Sequence, residues 1–171
     1  MLLSQKDYEE FELPIDIAEP YILTYGFIET DGNDVLQRTL NQVQQILKYK
    51  VIDLSLENIS WTCNVEKKKC VSPGQFLSYL KHSSYIVTNS FHGTAFSIIY
   101  RKDFLCVCKT GTENRMKELM FNLGLKNNLI LNTSNNIIFP APIDYVNVDN
   151  NLINLKENSI EWLKMAIEGL D

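Results

Sequence analysis

The sequence predicts an α/β domain: three layers, α/β/α, around a mainly parallel sheet. Three observations carry this. Short apolar runs rich in β-branched and aromatic residues recur at Tyr21–Tyr25, Val51–Ser55, Tyr85–Thr88 and Phe104–Cys108. Segments with apolar residues at helical spacing separate them. Strands alternating with helices in this way form right-handed βαβ units, whose parallel sheet is covered on both faces.

At 171 residues the chain fits one domain. A composition of 45% hydrophobic and 22% charged residues, with 7 Gly and 5 Pro, excludes collagen-like, low-complexity and disordered polypeptides. No apolar run approaches the roughly 20 residues of a membrane span, so a soluble domain is expected. The formal net charge of -5 argues against nucleic acid as the main partner. The start, Met1-Leu2-Leu3-Ser4-Gln5-Lys6-Asp7, lacks a basic region followed by a long apolar core, which points to a cytoplasmic location.

Taken in order, residues 1–19 are acidic and irregular and read as a lead-in or inter-domain linker, with a helical turn capped by Ser4; residues 20–171 read as the domain itself. Strand Tyr21–Tyr25 follows Pro20, and Thr30-Asp31-Gly32-Asn33 then form a loop. From Asp34 to about Lys50 a helix is predicted by Val35, Leu36, Leu40, Val43, Ile46 and Leu47. Between the strand Val51–Ser55 and residue 72 the chain reads as irregular, with Lys67-Lys68-Lys69 in a solvated loop. Ser72-Pro73 opens the next helix as an N-cap followed by proline, and it ends near His82-Ser83. A helix also follows each of the last two strands, the second opening at Thr110–Asn114. The stretch from Lys126 to Asn151 is rich in Asn and Pro, with short apolar runs at Leu129-Ile130-Leu131 and Ile137-Ile138-Phe139. It leads to a final helix over roughly Leu155–Leu170, with Ile160, Leu163, Ala166, Ile167 and Leu170 on one side.

Cys63, Cys70, Cys106 and Cys108 are too scattered for a disulfide framework, and no histidine completes a zinc set around them. Cys106 and Cys108 read as small hydrophobes of a buried strand. No Gly-x-Gly-x-x-Gly, Walker loop or paired metal carboxylates occur, so no cofactor or metal is expected.

Parallel sheets bind ligands beyond the carboxyl ends of their strands, which directs attention to the loops after Thr88 and Cys108. The first runs Asn89-Ser90-Phe91-His92-Gly93-Thr94 and brings two hydroxyls, an imidazole and a glycine to a helix start, where free N–H groups favour an anion. His92 can pass a proton or, protonated, bind phosphate or carboxylate; equally, a histidine there can tie the turn to the core. Gly93 lets a ligand or another backbone approach. The arginines are at 38, 101 and 115. Arg38 lies mid-helix, and Arg101 suits the C-terminal dipole of the His92 helix. Arg115 falls in the first turn of the following helix, where a cation opposes the macrodipole; an anionic ligand gives it a reason to be there. His82 closes its helix as a dipole partner. Trp61 and Trp162 are isolated in the sequence.

These residues resemble a known family. Pro73-Gly74-Gln75-Phe76-Leu77 and the run Tyr85-Ile86-Val87-Thr88-Asn89-Ser90-Phe91-His92-Gly93-Thr94-Ala95-Phe96-Ser97-Ile98 are similar to the C-terminal half of polysaccharide pyruvyl transferases. Glu113-Asn114-Arg115, with Leu119 and Leu123-Gly124-Leu125, is similar to that family's arginine-plus-leucine helix, and the resemblance runs from about Leu2 to Leu125. It implies a transferase that moves the enolpyruvyl unit of phosphoenolpyruvate onto two hydroxyls of a sugar in a cell-surface or exopolysaccharide, releasing phosphate. It also implies one Rossmann-like half of a bacterial GT-B-like enzyme whose active site lies between two such domains. His92 is then the proton donor or a phosphoenolpyruvate ligand, and Arg115 the anion-binding arginine. Ser90, Gly93 and Thr94 line the phosphate or carboxylate pocket.

The departure from the family is length, since this chain has room for one of the two domains. It is expected to need a missing N-terminal domain or a dimer partner, and to be inactive alone. An apolar face on the last helix fits that expectation. Two other readings stand beside this one. The donor domain of a nucleotide-sugar glycosyltransferase needs an acid to grip a ribose, for which Asp144 is the candidate. A non-catalytic binding module predicts that changing His92 alters stability alone.

Overall fold

The computed structural model describes residues 3–27, 35–108, 113–131 and 137–169. The loop expected at Thr30–Asn33, the helix opening at Thr110–Thr112, and Leu2, Asp34 and Leu170 lie outside the described residues. The first element is the short helix α1 (Lys6–Glu9). Then come β1 (Tyr21–Tyr25), α2 (Val35–Leu47), β2 (Lys50–Asp53) and β3 (Val65–Lys67). They are followed by α3 (Pro73–His82), β4 (Tyr85–Thr88), α4 (Phe91–Ile99), β5 (Phe104–Val107) and α5 (Glu113–Asn122). A 3₁₀ turn (Lys126–Asn128), β6 (Leu129–Ile130) and α6 (Tyr145–Glu168) complete the described chain.

The six strands form one sheet in the order β3-β2-β1-β4-β5-β6, and every neighbouring pair is parallel. This is the doubly wound Rossmann order, with its switch point between β1 and β4, where the chain winds outward in both directions. The side chains explain the layering. Leu23, Ile52, Ile86, Phe104 and Cys106 pack with Leu80, Ile98, Met116, Met120 and Val148, so α3, α4, α5 and α6 cover one face. Ile22, Val51, Val87, Leu105 and Val107 pack with Leu36, Leu40 and Val43 of α2. Near β4 the same face is closed by Ile137 and Phe139, whose ring stacks on Tyr85 at 5.2 Å. No described helix is long and apolar enough to cross a membrane.

Several expectations need correction. The stretch read as irregular contains β3, whose pairing to β2 leaves it at the sheet edge. Lys67 is accordingly not a solvated loop residue: its ammonium lies 3.0 Å from the fully buried carboxylate of Asp53. The last helix starts about ten residues before its predicted start, at Tyr145, capped by Asp144, whose carboxylate accepts from the Val146 and Asn147 N–H groups. Ser4 does not cap α1. Its N–H and hydroxyl both donate to Asp7, at 2.7 and 2.8 Å, and these bonds hold the Asp7 carboxyl below its ordinary range.

Residues 8–13 are tied to the helical layer. Leu13 N–H donates to Gly74 O at 3.2 Å, and Ser78 Oγ donates to Leu13 O. Glu12 takes an ion pair from Lys81 at 2.7 Å and the Tyr100 hydroxyl at 3.1 Å. Tyr8 meets Phe96 edge to face.

Candidate anion site at the switch point

At the carboxyl ends of β1 and β4 the backbone is fixed by a lattice of side-chain bonds. The Thr88 hydroxyl donates to the Tyr25 carbonyl and accepts from Ser90 N–H at 3.1 Å. The Asn89 amide reads both polar groups of Phe27, accepting from its N–H at 2.9 Å and donating to its carbonyl at 3.0 Å. A side chain at Gly26 would place Cβ 2.5 Å from Asn89 Oδ1, so glycine is what allows this clamp. Gly26 N–H in turn donates to Ser55 Oγ at 2.9 Å, which joins the end of β2 to the frame.

Ser90 is the N-cap of α4: its extended backbone opens the helix and its Oγ accepts from Gly93 N–H. The first-turn N–H groups at Phe91 and His92 have no acceptor within the helix, which leaves positive potential at this end. His92 is exposed on that first turn. The Arg115 guanidinium carbon lies over the Phe91 ring, 4.7 Å from its centroid, and the Phe91 and His92 rings meet nearly at right angles with centroids 6.2 Å apart. Arg115, at the start of α5, thus reaches the first turn of α4 through Phe91, the residue next to His92. Both starts face the same end of the sheet, as expected for helices that follow parallel strands.

The other predicted site residues are turned inward. Ser90 is 1% and Thr94 0% exposed. The Thr94 hydroxyl donates to Ser90 O at 3.1 Å and to Cys106 Sγ at 3.3 Å. A Cβ on Gly93 would meet Thr88 Oγ1 at 2.4 Å, so the glycine admits Thr88 from behind rather than a ligand from in front. These residues shape the turn; His92 and Arg115 present chemistry to solvent. Burial pushes the Cys106 thiol up to about 12, with the Thr94 bond acting against it, so this cysteine stays a neutral thiol.

The remaining candidates are accounted for by packing. Arg101, at φ 53°, pairs with Asp149 at 2.7 Å and covers the Tyr145 ring at 5.4 Å, tying α6 to the end of α4. His82 Nδ1 is 2.9 Å from Ser78 O in its own helix. Asp144 is the cap of α6, so the ribose-gripping role has no acid at that position. Among the described residues no three His, Cys, Asp or Glu side chains gather as a metal site requires.

Sequence reasoning passed over Thr88, Asn89 and Gly26, which build the frame, and Asp53. Asp53 accepts from Ser55 N–H, from the Trp61 indole at 2.9 Å and from Lys67 at 3.0 Å, and it fixes the loop beyond β2. An acid closing a strand, followed two residues later by serine, was the available signal.

The family model for polysaccharide pyruvyl transferase matches residues 4–107, which include Ser90, His92, Gly93 and Thr94 but not Arg115. No curated protein matches the chain. Among solved structures, the UDP-GlcNAc 2-epimerase of Methanocaldococcus jannaschii, crystallised with UDP-GlcNAc and UDP, is similar at 14% identity and a TM-score of 0.44 over 90% of this chain. The match spans 48% of that protein, so this chain is about half its length. With a family model covering well over half of its residues, the chain belongs to the polysaccharide pyruvyl transferase family.

Proposed function

We propose that this chain carries the phosphoenolpyruvate-binding half of a pyruvyl transferase that forms a pyruvate ketal on a sugar of a cell-surface or exopolysaccharide, in the cytoplasm. The observation that supports it is the approach of Arg115 to the His92 turn through Phe91. Phosphoenolpyruvate carries its carboxylate and its phosphate ester on one carbon, and the pair of helix starts with Arg115 supplies positive potential for both.

In this reading His92, as imidazolium, gives its proton to the methylene carbon. The double bond becomes a methyl group and an oxocarbenium whose charge the bound anions offset. One sugar hydroxyl adds to that carbon, phosphate leaves, and a second hydroxyl closes the ketal. One hydroxyl proton restores His92 and the other leaves with phosphate. Ser90, Gly93 and Thr94 position the turn from behind. The far wall of the cleft belongs to another domain or a second copy. The exposed Ile153, Ile160, Trp162, Leu163 and Ile167 of α6 are consistent with such a neighbour.

Titration calorimetry with phosphoenolpyruvate tests the reading. Binding is expected that His92→Ala and Arg115→Ala each weaken about tenfold or more, with the circular dichroism spectrum unchanged. Binding of a nucleoside diphosphate in its place supports the glycosyltransferase reading instead.

A further inference from the structure

We propose that the groove over the carboxyl ends of β1, β2 and β3 holds the acceptor saccharide, and that this saccharide is acidic. The inference rests on the transferase reading for the word acceptor; the groove and its charge stand independently of it.

A cavity of about 570 Å³ lies over these strand ends, and a second of about 430 Å³, along β3 and the loop before it, shares Asn58, Lys67 and Lys69 with the first. Each is within the size range of small-ligand sites. The first is walled by Tyr25 and Phe76, whose rings meet edge to face at 4.9 Å, and the second by Trp61. Aromatic side chains with a polar edge suit a ligand that is apolar on its ring faces and polar around its rim, as a sugar is.

The charges in the walls are all of one sign. Lys67, Lys68 and Lys69 line the first cavity, Lys67 and Lys69 the second, and neither has a carboxylate in its wall. In a chain of net charge -5 this is a local reversal. The three lysines differ in availability. Lys67 is held by buried Asp53 and by the carbonyls of Ser55 and Glu57, so its role is to fix the floor. Lys68 pairs with Glu66 on an exposed edge, a contact of small net strength that a ligand anion can replace. Lys69 is exposed and makes no ion pair among the described residues. The N-terminus of α3, opening at Pro73 in the same wall, adds the positive end of its dipole.

Position links this groove to the anion site. Tyr25 of β1 is the register partner of Thr88 of β4, whose strand runs directly into the His92 turn. Strands are about 4.8 Å apart, so the end of β2 lies about 10 Å from the end of β4. A saccharide anchored by its acidic group in the groove would extend its next ring toward His92. The anion can be a uronic-acid carboxylate or a phosphate substituent.

The test uses the whole chain and three probes: a glucuronate-containing tetrasaccharide, the same tetrasaccharide with its carboxyls reduced, and glucose 1-phosphate. We expect an acidic probe to bind and the carboxyl-reduced one to bind at least about tenfold more weakly. Whichever of the two anionic probes binds identifies the source of the charge. Lys69→Glu should weaken the acidic probe about tenfold while leaving phosphoenolpyruvate binding unchanged, and Lys164→Glu on α6, with the same change in net charge, should alter neither. Binding of neither anionic probe, equal binding of the reduced tetrasaccharide, or an equal effect of Lys164→Glu overturns the proposal. Phosphoenolpyruvate titrated into the same samples separates the two claims: an acidic glycan bound while phosphoenolpyruvate is ignored contradicts the transferase reading and leaves the groove standing.

Discussion

At position 93 a methyl group would lie 2.4 Å from the Thr88 hydroxyl, which is itself engaged with the Tyr25 carbonyl and Ser90 N–H. Gly93→Ala must therefore push apart the end of β4 and the first turn of α4. Urea unfolding should show a loss of about 1–3 kcal/mol, as for other overpacked sites. The loss should shrink in a Thr88→Ala background, because the two changes share one contact. The sequence alone marked Gly93 as a place of close approach without showing what approaches. The same holds for Ser90 and Thr94, whose hydroxyls look available on paper and are used inside the turn. His92 and Arg115 were legible because their position relative to helix starts follows from the strand–helix alternation. The direction of each buried hydroxyl depends on neighbours distant in sequence, such as Cys106 behind Thr94.

At the scale of elements, the part hardest to read was the edge strand β3, with one apolar residue, Val65, followed by charged Glu66 and Lys67. It is paired to β2 and held there by Asp53, which draws Lys67 and Trp61 onto the end of β2. Asp53→Ala removes the acceptor for both and leaves Lys67, 24% exposed, with no carboxylate. The expected loss is about 3–5 kcal/mol in urea unfolding, with Trp61 fluorescence shifting as the loop loosens. Asp53→Asn, which keeps an acceptor, should lose less. The start of α6 was hidden for a different reason: Asn147, Asp149, Asn150 and Asn151 interrupt the apolar spacing, while its anchors, Val148 and Tyr145, are set by the rest of the fold. The interior helices α2 and α3 needed no such context. Their apolar spacing and, for α3, the Ser72–Gln75 capping box are local features.

For the molecule as a whole, the alternation of strands and helices points to a parallel sheet with its ligand loops at the carboxyl ends of the strands, while the strand order and the switch point come from the pairing of β1 with both β2 and β4. The interior adds a global pH dependence that composition does not show. Burial raises the phenols of Tyr21, Tyr85 and Tyr145 well above the ordinary value of 10.0. A folded-state value above the unfolded one means the folded chain holds protons that the unfolded chain releases. The associated stability is fully present below about pH 10 and is lost as pH rises beyond it. Burial raises the Tyr100 phenol as well, and Lys102, lowered by burial, acts in the opposite sense below its ordinary 10.5, one group against four. Urea midpoints should therefore fall steeply above pH 10, with the tyrosinate absorbance of these buried tyrosines appearing only as the chain unfolds. Early ionisation of these tyrosines in the folded chain would contradict the packing described.

The central claim, that His92 and Arg115 form one anion site at the switch point, is tested most directly by the imidazole resonances of this chain. There are 2 histidines, at 82 and 92, so each ring can be followed separately and His82 serves as an internal control. Adding phosphoenolpyruvate should shift the His92 ring signals in a saturable way, leave those of His82 unchanged, and lose this effect in Arg115→Ala. Saturating phosphoenolpyruvate that moves neither ring, or a His92 shift unaffected by Arg115→Ala, would contradict the account.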